Sequence, residues 1–288
     1  MVSAIPPIPF QTCKIIDSFF NTYYASEKNK GTEFYQIREF QPGDDVRTID
    51  WKTSLKYGKL TPNFFYIRQK IKERNFQIYI VFDMSNSFTF GSEYTKIEKG
   101  IEVSNIILDS AVRLNIPFGA IFFNDGIKHK IPVSTGSLHK ECILNWMLDF
   151  QPKIKPGSFE KIWADLYLKI EKPSLIFLVS DFQNFSENGF LHTIKSKHDI
   201  IAIQLIDPVE EKFPDVGFIQ LEDLESGEQL LINSSNKYGR EKYDEIIQEQ
   251  KALVDKMFAP NLIHLKTSET DFYSTLNNFF LKRKGDAY

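Results

Sequence analysis

Cysteine is nearly absent from this 288-residue chain. Cys13 and Cys142 are far apart, and neither has a CxxC companion. That excludes a disulfide framework or a cysteine zinc site and suits a reducing compartment. The five histidines, His129, His139, His192, His198 and His264, are scattered and form no HExxH pair. No run of about eighteen apolar residues exists, so no membrane span is expected. The first ten residues, MVSAIPPIPF, have no basic stretch ahead of an apolar one. They do not read as a secretory signal, and the expected location is cytoplasmic. A basic excess is missing too. The formal net charge is -3, which gives no footing for nucleic acid. Among enzyme motifs, GxxxxGK[ST], GxSxG and DxDx[TV] are all absent.

What is present is an ordinary globular composition, 42% hydrophobic, with 26 phenylalanines to build a core. Residues 11–28 carry a helical apolar pattern. Residues 31–75 read as short extended segments broken by the turn-like QPGDD and KYGKL. From Phe76 the pattern changes. FQIYIVFD is a near-continuous apolar strand, as expected where both sheet faces are covered. A helix follows over 95–114, then the strand PFGAIFF, a turn at Asn124-Asp125-Gly126 and a returning strand IKHKIPV. Helices are expected at 137–149, 158–171, 187–197, 237–257 and 268–282. Strands are expected at SLIFLVSD, DIIAIQLID and NLIHLKT, with a hairpin turning at Glu225-Ser226-Gly227.

Strand alternating with helix predicts an α/β three-layer sandwich, Rossmann-like, with a mainly parallel sheet and one antiparallel edge strand. The expected division is a helix and β-rich extension over residues 1–75 and an α/β domain over 76–288. The latter carries a hairpin insertion at about 209–235.

Open sheets of this kind bind ligands at the carboxyl ends of their strands. Two aspartates stand there, Asp83 after FQIYIVF and Asp181 after SLIFLVS. Asp83-x-Ser85-x-Ser87 places a carboxylate and two hydroxyls in five residues. Ser158, at a predicted helix start, is a further hydroxyl for the same edge. Mg2+ prefers such oxygen ligands and keeps several waters. The same residue types also cap turns, so plain capping is the competing account.

These residues resemble the metal-ion-dependent adhesion site of von Willebrand factor type A domains. The resemblance assigns Asp83, Ser85 and Ser87 to the first motif and Asp181 to the third. Ser158 is the best match for the second motif, with Thr135 as a competitor. A narrower resemblance covers nearly the whole chain. REFQPGDDVRTIDWKTSLKYGKL, residues 38–60, is similar to the signature of the bacterial "domain of unknown function 58" family. Asp207-Pro208, Glu210 and LEDLESGE resemble it as well. The chain departs from it in the basic RQKIKER at 68–74 and lacks the two N-terminal membrane helices of some members.

The resemblance implies a von Willebrand A-like domain with no established catalytic activity. It implies a cytosolic adaptor that binds a partner's Asp or Glu through Mg2+ or Mn2+. The implied partner is a MoxR-type AAA+ ATPase or another von Willebrand A protein, in assembly or activation of a complex. A Mg2+-dependent hydrolase and a scaffold with a vestigial site are the alternatives. Elsewhere, Gly43-Asp44-Asp45 reads as a tight turn rather than a metal hairpin. Arg47, Asp50 and Trp51 are expected to pack as a buried ion pair under an aromatic ring. Arg68, Lys70, Lys72 and Arg74 alternate, as a partner face or as a charge-guarded edge.

Overall fold

The structure is a computed structural model. It describes residues 7–8, 10, 35–40, 46–52, 54, 65–70, 76–149, 159–183, 185–186, 189–211, 215–222 and 229–285. The chain divides into two compact units, residues 21–75 and residues 1–20 with 76–288. The helix expected over 11–28 and the turns at Gly43-Asp44-Asp45 and Glu225-Ser226-Gly227 lie outside the described residues, as do Lys72 and Arg74.

In the smaller unit, β1 (Tyr35–Glu39) pairs antiparallel with β2 (Tyr66–Lys70). Asp50 is buried there, and its backbone N–H donates to the Tyr66 carbonyl. Trp51 is 57% exposed, so it does not roof a buried ion pair as expected. It meets Phe65 edge-on, with ring centroids 5.7 Å apart.

The larger unit is built on six strands: β3 (Gln77–Asp83), β4 (Phe118–Phe123), β5 (Ile127–Ser134), β6 (Ser174–Ser180), β7 (Asp199–Ile206) and β10 (Leu262–Lys266). Their order is β10-β7-β6-β3-β4-β5. All neighbours are parallel except β5, which returns antiparallel along β4. This is the layout expected of the fold class. The β4–β5 turn ends on Gly126 at φ 148°, where a Cβ is disfavoured. A separate antiparallel pair, β8 (Phe218–Glu222) and β9 (Gln229–Asn233), occupies the expected hairpin region.

Strands covered on both faces have no polar side to show, which is why their sequences run apolar without alternation. Successive β3 residues divide between two cores. Ile78, Ile80 and Phe82 face one side; Tyr79 and Val81 face the other. The first core is covered by α1 (Lys96–Arg113), α2 (Ser137–Asp149) and α7 (Phe272–Gly285). The second is covered by α3 (Phe159–Lys169), α4 (Gly189–Lys197) and α6 (Lys237–Phe258). A short α5 (Pro208–Glu211) follows β7. Ile8 and Phe10, from the segment assigned in sequence to the extension, are buried in the first core. Phe10 meets Phe177 and Phe280 at 5.7 and 5.5 Å. Each such buried ring stabilises by roughly 1.5–3 kcal/mol.

Two features set the start of α1 over the sheet edge. Thr95 and Glu98 form a reciprocal capping box. Gly100 permits close approach, since a Cβ there would lie 2.9 Å from the Phe82 ring.

Candidate functional site

The strand order reverses at β3, because the chain steps outward through β4 and β5 and returns to β6 on the other side. The crevice at such a switch point is where open α/β sheets take ligands. Asp83 and Asp181 stand on its two sides. Asp83, Ser85 and Ser87 are 3–4% exposed and Asp181 is 7% exposed.

Local chemistry orients each group. One Asp83 carboxylate oxygen accepts the Ser85 backbone N–H at 2.8 Å, and the other accepts the Ser180 hydroxyl at 2.6 Å. Ser85 precedes the 3-10 turn Asn86–Thr89 at the capping position, yet its hydroxyl caps nothing. It lies 3.0 Å from the Ser87 hydroxyl instead. Simple capping therefore does not account for the Ser85 hydroxyl. Asp181 accepts the Gln183 backbone N–H at 3.1 Å. The next residue, Phe182, has φ 57°, a strained choice for a bulky side chain. It is held by burial against Phe159 and Phe258, and the turn it makes follows directly on Asp181.

Ser158 lies outside the described residues. Its neighbour Phe159 sits at this edge, 5.7 Å from Phe123 and 5.8 Å from Phe182 by ring centroids. Thr135 does not belong here. It follows Ser134, which pairs with Phe118 at the start of β4, whereas Asp83 pairs with Phe123 at its end. Five residues of strand, roughly 17 Å, separate those levels.

The main surprise is Lys96. It is the first residue of α1 and fully buried. Its ammonium donates to Asp181 at 2.8 Å and to Glu210 at 2.6 Å, and lies 5.8 Å from the Phe90 ring centre. Glu210 also accepts from the Gln183 amide at 3.0 Å. Asp207, which heads the α5 turn, is a structural tie. It accepts from the Ser92 N–H and hydroxyl, the Thr267 hydroxyl and the Val209 N–H.

Sequence reasoning singled out Glu210 through family resemblance but missed Lys96 and Ser180. Lys96 did leave a signal. A cation is unfavourable at a helix N-terminus, where the macrodipole is positive, so something nearby must offset it.

The electrostatics follow from burial. Asp83 is pushed up to about 7, first by burial and then by the Asp181 charge, against hydrogen bonds from Ser180 and Ser85. Among the described residues no cation contacts it. Burial opposes the Lys96 charge, but Asp181 and Glu210 overcome this and hold its pKa above the usual value. Burial raises Glu210 against the pull of Lys96.

The residues present fit a hard divalent cation. Adjacent oxygens of an octahedral Mg2+ shell, each about 2.1 Å from the ion, lie about 3.0 Å apart. The Ser85 and Ser87 hydroxyls have that spacing, 3.0 Å, beside a buried carboxylate that has charge to give. Among the described residues, no group of three His, Cys, Asp or Glu converges to hold a metal. The donor set is one of carboxylates mixed with hydroxyls.

Comparison with known proteins places the chain. The family model "Protein of unknown function DUF58" matches residues 36–253, and the chain belongs to that family. Two curated relatives, the uncharacterized proteins Rv1480 of Mycobacterium tuberculosis and Mb1516 of Mycobacterium bovis, are each 28% identical over 208 residues. The matched region is 68% of this chain and 62% of each relative, so it spans less than two thirds of their length. Among solved structures, the conserved hypothetical protein BatB of Bacteroides thetaiotaomicron is 14% identical, with TM-score 0.46 over 73% of this chain and 99% of that one. The SpRpn10 VWA domain is 13% identical, with TM-score 0.40 over 72% and 94%. Likenesses this distant establish neither a shared activity nor a shared partner. Among the described residues, no helix is long and apolar enough to cross a membrane.

Proposed function

We propose that this protein is a cytoplasmic adaptor that holds Mg2+ or Mn2+ at the carboxyl ends of β3 and β6. Through that ion it would grip a carboxylate of a partner protein. Asp83, Ser85 and Ser87 would hold the ion, with Asp181 acting through water and Ser158 adding a hydroxyl. The observation that carries this reading is the buried Asp83 carboxylate beside two buried hydroxyls 3.0 Å apart, the first of which stands at a helix-capping position without capping. A bound Mg2+ would supply a Lewis-acidic position open to a partner's Asp or Glu.

The chain's own residues do the remaining work. The Ser180 hydroxyl and the Ser85 N–H keep the Asp83 carboxylate aimed at the crevice. Phe88, fully buried and edge-on to Phe82 at 5.5 Å, anchors the serine loop to the core. Recognition, rather than turnover, is the chemistry such a site performs. By family resemblance the partner is a MoxR-type AAA+ ATPase or another von Willebrand A protein, in assembly or activation of a complex.

The test is calorimetric titration of Mg2+ and Mn2+ into wild type and Asp83→Ala, with folding followed by circular dichroism. Saturable binding that vanishes in the folded variant is expected. Binding that survives Asp83→Ala would move the site elsewhere. Turnover of a generic phosphoester would replace the adaptor with a Mg2+-dependent hydrolase.

A further inference from the structure

Lys96 is a fully buried ammonium placed against a helix dipole, and it reaches two carboxylates from distant parts of the chain. Here Asp181 sits on one side at 2.8 Å and Glu210 on the other at 2.6 Å. The two acids differ. The Asp181 side chain is 4% exposed and faces the crevice shared with Asp83, while Glu210 is 21% exposed, on the short α5 turn. Both Glu210 oxygens have neutral donors as well. The Gln183 amide lies 3.0 Å from one and the Asp207 N–H 3.4 Å from the other. Glu210 is therefore positioned whether or not Lys96 leans on Asp181.

We propose that Lys96 is the resident counter-charge of Asp181, competing with a divalent cation for that carboxylate, and that Glu210 is the alternative acceptor that sets the outcome. This rests on the cation site proposed above and names what controls it. With no cation, the ammonium neutralises Asp181 in a crevice that also holds Asp83. When a cation arrives, Lys96 shifts its weight to Glu210 without leaving its buried seat, and Asp181 is freed toward the ion. The pair keeps the crevice from gathering uncompensated carboxylates, and weakens the site so that a partner's acid contributes to loading it. The uneven burial of the two acids fits the roles. The deeper one serves the site, and the shallower one takes the displaced charge at lower desolvation cost.

The experiment is Mg2+ and Mn2+ calorimetry on wild type, Lys96→Met, Glu210→Gln and the double variant, with Asp83→Ala as the blank. Removing the ammonium is expected to tighten binding about tenfold or more, and Glu210→Gln to weaken it by a similar factor. In the Lys96→Met background, Glu210→Gln should change affinity less than about twofold, because its effect runs through the lysine. Equal effects of Glu210→Gln in both backgrounds would overturn the competition and leave only general electrostatics. Unchanged affinity in Lys96→Met, with binding still lost in Asp83→Ala, would overturn the role of Lys96 and leave the cation site standing. Binding in Lys96→Met but not in wild type would support the proposal in its strongest form. No binding in any variant would remove the site and this inference together. Should Lys96→Met not fold, Glu210→Gln decides alone, since unaltered affinity there contradicts the proposal.

Discussion

The two ends of the parallel sheet both bury polar groups, and they settle the cost differently. At the amino ends of the strands the answers are local. Arg283 donates to Asp199 at 2.6 Å, and Ser174 links Gln77 to the Lys172 carbonyl. Lys197 covers the terminal carbonyls of α3 through Tyr167 and Ile170. His198 is kept neutral, lowered to about 4 first by burial and then by the Lys197 charge. At the carboxyl ends, Asp181 and Glu210 pair with Lys96, while Asp83 is raised to about 7 instead of being paired. One end is balanced and serves stability. The other holds more carboxylates than the one ammonium beside them, and the proposed cation site rests on that imbalance.

The sharpest way to break this contrast is to neutralise each end in turn. Asp83→Ala should lower Mg2+ or Mn2+ affinity by about a hundredfold or more, while Ser174→Ala should leave it unchanged. Calorimetry on both variants checks this. Arg283→Met should cost roughly 3 kcal/mol in urea unfolding, because it takes the guanidinium away from the buried Asp199 carboxylate, and should not alter cation binding. If it did, the two ends would not be independent.

The pH response separates the ends by sign. Asp83 has a folded pKa of about 7 against an ordinary 3.8. Its contribution to stability is full below the ordinary value and is lost as pH rises through about 7. Asp83→Asn should remove that loss, raising the melting temperature above neutral pH when a chelator is present. His198 runs the other way, with a folded pKa of about 4 against 6.5. Its contribution is present above 6.5 and is lost as pH falls toward about 4. His198→Gln should flatten that acid limb and leave the neutral one. A thermal melt series across pH reads both.

The smallest effect belongs to Lys197→Met. It removes a charged donor from the partly exposed end of α3 and should cost no more than about 1 kcal/mol.

Much of the site was legible because it is local. DMSNS and the aspartate of LVSD follow apolar strands, and in a sheet covered on both faces a run of polar residues marks where a strand ends. The choice between Ser158 and Thr135 was not legible from hydroxyl chemistry alone. Placing Thr135 depended on the direction of β5, whose antiparallel return carries it to the far edge. The boundary drawn ahead of Phe76 missed Ile8 and Phe10, since a short proline-rich segment has no periodicity to announce which core it joins.

What the sequence by itself determined is the order of strands and helices and the position of both aspartates at strand ends. Hydrophobic period and turn chemistry are local properties, and they are written in consecutive residues. What only the tertiary structure decided is the charge balance. Lys96, Asp181 and Glu210 are 85 and 114 residues apart in sequence. Their meeting depends on how closely α1 lies on β3 past Gly100, and on the left-handed turn at Phe182 that follows Asp181. Packing distance and backbone direction of that kind arise from the assembled layers, and no short stretch of sequence encodes them.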